Sequence, residues 1–179
     1  MLRNTQETYG LIAKLFHWVL ALYLAALFGF GKYIASMKVG IENLHYFNLH
    51  KVFGLIALTL IVLRLAWRLY SPPPPTLAGG VKRWELHLAR FTHGMLYVLM
   101  FAMPLAGWIA SSATGIRISF FDLFFLPMIA PPSERMEDLF FDIHRLFGYL
   151  LLLFVALHVA GALKRHLVLR DKTLRRMWF

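Results

Sequence analysis

Four long apolar runs, each broken off by a short polar or proline-rich connection, set the layout of the chain. The first extends from about Leu15 to Ser36, the second from Leu49 to Leu69, the third from His87 to Ser112 and the fourth from Ile143 to Lys164. Each is close to the ~20 residues that a helix needs to cross a hydrocarbon layer about 30 Å thick. Strict alternation is missing throughout, so helical spans are expected rather than strands. Four consecutive prolines, Pro72 to Pro75, forbid helix after the second run and hold an extended connection in solvent. Pro104 lies inside the third run and should kink it. From Gly115 to Pro132 the chain is aromatic-rich but too short and broken to span, so it should lie in the interface. Ser133, followed by Glu134, reads as the N-cap that opens the fourth helix. The pattern predicts an all-α integral membrane four-helix bundle, built as a single domain over residues 1–179.

Composition strengthens this reading. The chain is 59% hydrophobic with mean hydropathy +0.61, too apolar for a soluble domain. The formal net charge of +10 would suggest nucleic acid in a polar protein; here it is an orientation signal, and no nucleic-acid partner is expected. With the N-terminus placed in the cytoplasm, the inner segments hold 13 Lys and Arg against 3 acids, and the outer segments 6 against 6. The whole excess then falls on one side, which puts both termini in the cytoplasm of a multi-pass protein of a bacterial inner membrane. A cleavable leader is not expected, because the first run is long, contains His17 and lacks a small-residue exit. Cysteine is absent, which excludes disulfides, thiolate-held clusters and covalently attached haem.

The candidate chemistry lies in the histidines. His144 and His158 share the fourth run, and their separation of fourteen residues is close to four turns, roughly 21 Å along one face. An imidazole inside a bilayer is costly without a partner, so two on one stripe call for a function. In the expected orientation His17 and His158 approach the inner surface, while His50 and His144 approach the outer one. Two histidine pairs at two depths are what two haem b groups stacked in a bundle require, one imidazole on each axial side of each iron. Gly54, Gly148 and Gly161 follow His50, His144 and His158 by three or four positions and leave the same faces bare for a flat macrocycle, or for close helix packing. His93 lies at the depth of His17 and is an equally spaced candidate for the inner site. His45, His87 and His166 read as interfacial side chains. Lys51 and Arg145 each adjoin an outer histidine, where they would pair with haem propionates, attract an anion or simply snorkel.

These residues resemble the bacterial diheme cytochrome b-561 family over nearly the whole chain. The motifs that carry the likeness are LFHW around His17, LHKVFGLIALTLIVLRLAWRL before the proline run, ARFTHGMLYVLMFAMPLAGW, and IHRLFGYLLLLFVALH before the basic tail RDKTLRRM. The resemblance implies His17 and His158 as ligands of an inner haem, His50 and His144 as ligands of an outer one, and electron exchange with ubiquinone. One branch of the family oxidises superoxide, so the leading expectation is electron transfer from a periplasmic donor, superoxide above all, to ubiquinone. Lys51 and Arg145 would then steer the anion, and His93, Arg68 and Trp18 would border the quinone. The outer segments carry no net charge, so a strong electropositive funnel is not part of the expectation. A second reading makes the chain the haem-bearing anchor of a dehydrogenase or hydrogenase with a partner redox subunit. A third, cation transport, is disfavoured because no carboxylate falls within the four apolar cores.

Overall fold

The computed structural model describes every residue except 39 and 78. Position 39 falls between the first two apolar runs of the sequence and lies outside the described residues. Four helices dominate: α1 (Leu11–Ala35), α2 (Leu44–Tyr70), α3 (Arg83–Ala113) and α4 (Glu134–Leu167). All four are long and apolar enough to cross a membrane. They overrun the apolar cores because hydrophobicity marks only the stretch that lipid surrounds, whereas the backbone hydrogen-bond ladder continues wherever polar side chains find water or partners. The longest extension is at the start of α4, where the Ser133 hydroxyl accepts a bond from the Met136 amide and Glu134 and Glu137 occupy the first turn. At the other end of the second run Ser71 and the prolines stop α2 where the sequence places the break. Gly115, with φ +76°, ends α3 in the left-handed region that glycine alone enters freely.

The aromatic segment after α3 forms a small antiparallel hairpin, β1 (Ser119–Phe120) with β2 (Phe124–Phe125). The Asn48 side chain on α2 accepts from the Ser119 amide at 3.1 Å and donates to the Ser119 carbonyl at 2.8 Å, which ties the hairpin to the bundle. At the opposite end the two termini meet. The short helix α5 (Thr173–Met177) docks beside the start of α1, where Trp18 donates to the Met177 carbonyl and Lys14 to that of Trp178.

The packing is uneven in a way that matters for function. α4 lies against α3 along most of its length, α1 against α2, and α2 against α3, whereas α4 stands off both α1 and α2. Close packing is concentrated in a middle layer, where Leu20, Ile61, Leu99, Met100 and Leu151 form the buried core. Leu151 is seven residues from His144 and seven from His158, midway between the two depths. The outer helix surfaces expose Leu22, Leu63, Val98 and Leu153, as a lipid-facing bundle should.

Candidate functional site

The structure brings the histidines together across the gaps that α4 leaves. At the hairpin end the His50 and His144 rings face one another with centroids 6.2 Å apart and planes at 86°. At the terminal end His17 and His158 lie 6.0 Å apart with planes at 62°. An iron held between two imidazoles needs about 2 Å to each nitrogen and ~1.1 Å more to each ring centre, hence centroids about 6.2 Å apart. Both pairs have that separation. His93 is nearer to His158, at 5.0 Å, which is too short to admit an iron on the line between them. Among the described residues no group of three or more candidate metal-binding side chains converges; the arrangement is one of pairs.

A register common to all four helices explains the two layers. Fourteen residues separate His17 from Gly31 on α1, His50 from Arg64 on α2, His93 from Gly107 on α3 and His144 from His158 on α4. Each step is nearly four turns, so it returns to the same face at the other depth. The hairpin-end layer therefore contains Gly31, His50, Gly107 and His144, and the terminal-end layer His17, Arg64, His93 and His158. The glycines seat the rings: a Cβ on Gly31 would come 3.0 Å from His50 Cε1, and one on Gly107 would come 2.9 Å from His144 Nδ1. That close approach lets His144 Nδ1 donate to the Met103 carbonyl at 2.9 Å and leaves its Nε2 free to face His50. His50 Nδ1 is buried with no partner among the described residues.

The glycines singled out in the sequence behave differently. Around Gly54 and Gly161 no atom lies within 4 Å of an added Cβ, so both border open space, and Gly54 lines a narrow cavity with His50 and His144. Gly148 is filled more closely, by Met103 and Phe28 at 3.9 Å. The ring spacing, the bare backbone at Gly54 and Gly161, and the donor set of neutral imidazoles fit a flat iron macrocycle clamped from both faces.

Charged and aromatic neighbours complete the two ends. Arg145 is exposed and paired with Asp142 at 2.9 Å, so its charge is partly answered, while Lys51 is half-buried beside His50. Phe30 borders the His50 ring, and Phe53 connects it to Phe121 of the hairpin. At the terminal end Trp18 packs edge-on against His17 and against Trp178. Arg68 lies over the Tyr97 ring at 5.4 Å. Arg64 turns inward, its guanidinium 3.1 Å from His17 Nδ1. The signal that would have found it, and Gly31 and Gly107, is the fourteen-residue register.

The family profile described as prokaryotic cytochrome b561 matches residues 8–179. "Cytochrome b561 homolog 2" of Escherichia coli (strain K12) is 32% identical over 175 residues, covering 97% of this chain and 93% of the relative. "Cytochrome b561 homolog 1" of the same organism is 32% identical over 106 residues, 59% of this chain and 56% of the relative. "Probable superoxide oxidase CybB" of Yersinia pestis is 28% identical over 129 residues, 72% of each chain.

Proposed function

The chain belongs to the prokaryotic cytochrome b561 family, a group of multi-pass membrane proteins that carry electrons on haem b, and from that premise we propose a two-haem superoxide:ubiquinone oxidoreductase of the bacterial inner membrane. The observation that carries the proposal is the pair of ring separations, 6.2 and 6.0 Å, at two depths of one bundle. His50 with His144 holds one haem and His17 with His158 the other; each bound haem supplies a one-electron couple. His93 is left out of ligation because its ring lies too close to His158. It remains free to face a quinone together with Arg68 and Trp18.

The positive-inside bias supports an orientation with the termini in the cytoplasm and the hairpin end in the periplasm. There Lys51 and Arg145 offer a small anion a local attraction, limited by the Asp142 partner of Arg145. Superoxide is the donor that this supports best, in keeping with the name of the Yersinia relative.

The purified protein is expected to carry two haems per chain. His144→Ala should lose one of them and His158→Ala the other, while His93→Ala keeps both. Retention of two haems in either of the first two variants would remove the pairing. Superoxide pulses should yield ubiquinol; haems that stay oxidised under superoxide would remove the donor.

A further inference from the structure

The two layers differ at the positions that do not supply the proposed ligands. In the hairpin-end layer those positions are Gly31 and Gly107, on α1 and α3, and in the terminal-end layer they are Arg64 and His93, on α2 and α3. Arg64 is half-buried and forms no salt bridge among the described residues; its guanidinium stands 3.1 Å from His17 Nδ1 and 5.9 Å from the centre of the Tyr97 ring. Arg68 adds a second positive charge over the same ring. At the hairpin end the balance is different. His144 donates its Nδ1 hydrogen bond to a carbonyl, which makes the imidazole a richer electron donor; Arg145 is paired with Asp142, while Lys51 is half-buried beside His50.

A fixed positive charge beside a ligand favours the state with one electron more, and an electron-rich ligand favours the state with one electron fewer. We infer that Arg64 makes the His17–His158 site the stronger electron acceptor of the two, so that electrons run downhill from the hairpin end toward the terminal end. With haems held by His50 and His144 at the first site and by His17 and His158 at the second, one electron would pass between them, oxidising the first by one electron and reducing the second by one. The inference rests on the two-haem reading above and adds a direction and the residue that sets it. Arg64 is a positioning residue here, acting through charge on the ligand rather than on a substrate.

The test is a potentiometric titration of the purified two-haem protein followed by its visible absorption. Two components are expected. Arg64→Gln should lower the higher midpoint toward the other and leave the lower one in place, whereas Arg64→Lys, which keeps the charge, should leave both nearly unmoved. A higher component that ignores Arg64→Gln, or a lower component that moves instead, overturns the inference while the haem count still stands for the two-site reading. Loss of a haem from Arg64→Gln also overturns it, since Arg64 would then anchor the site rather than tune it. A colourless chain removes the inference and the two-haem reading together.

Discussion

At the scale of single residues, the glycines separate what one helix can reveal from what takes two. Gly54 and Gly161 are visible in the sequence because they follow histidines on the same helix face, and open space does adjoin them in the structure. Gly31 and Gly107 lie on helices that supply no histidine to the hairpin-end layer, and periodicity along one helix does not say which face of a neighbour it meets. An added methyl at Gly107 would press on His144 Nδ1 and push the ring off the Met103 carbonyl. Gly107→Ala is therefore expected to destabilise the bundle by about 1–3 kcal/mol, as overpacking does, and to weaken retention of the hairpin-end haem. Gly54→Ala should leave the haem-free fold nearly as stable, because no atom lies within 4 Å of the added Cβ, yet hinder loading of the same site. Haem-to-protein ratios together with thermal unfolding in detergent distinguish the two outcomes. Equal loss of stability in both variants would show that the open space at Gly54 is not cofactor space.

At the scale of elements, the terminal segments form a clamp whose existence the sequence did not disclose. A basic tail rich in Arg and Lys reads as a solvated inner flank, and nothing in its pattern says that Arg176 will donate to the Gln6, Glu7 and Pro75 carbonyls at once. The turn into α5 is fixed by Asp171, which receives the Arg165 guanidinium at 2.6 Å and the Thr173 amide at 2.7 Å. Burial works against the Asp171 carboxylate, but the bonds from Thr173 and Arg165 outweigh it and hold its pKa below the ordinary 3.8. A folded-state pKa below the unfolded one means that the clamp's contribution is fully present above the ordinary value and is lost as pH falls through the lowered value. Acidification into that range, or Asp171→Asn at neutral pH, should release α5. Losing one charge-assisted bond of about 1.5 kcal/mol corresponds to roughly tenfold faster protease nicking between Leu167 and Thr173. Unchanged nicking in Asp171→Asn would show that Arg176 holds the tail by itself. The hairpin was only half legible for a related reason: its aromatic content marks an interfacial segment, but strands of two residues carry no alternation, and Phe121 and Asp122 turn through φ 49° and 61° without a glycine to announce it.

At the scale of the whole molecule, the bundle is organised around what it does not pack. Its dense layer is thin and lies between the two histidine pairs, with Leu24, Ala57, Met100 and Leu151 each seven residues beyond the hairpin-end or terminal-end position of its own helix. The four-helix layout and the helix-sharing pair His144 and His158 were legible because length, apolarity and spacing are one-dimensional properties. The standing-off of α4 from α1 and α2 was not, since it depends on how side chains of different helices meet. Charge predicts a direction for the assembled bundle: Arg64, Arg68, Lys82, Arg83 and the basic tail all lie at the end where the termini meet, and acids outnumber bases in the short segments that flank the hairpin and start α4. Short flanking segments are those on which the positive-inside bias acts most strongly. A fluorescent protein fused after Phe179 should therefore fold and fluoresce in the cytoplasm, while alkaline phosphatase fused at the same point should stay inactive. Neutralising Lys82, Arg83, Lys172, Arg175 and Arg176 together should erode that preference and produce a mixed population. Active phosphatase on the unmodified tail would reverse the bundle, put His50 and His144 on the cytoplasmic side and withdraw superoxide in the periplasm as the donor, leaving the two ring separations to be explained by a different electron source.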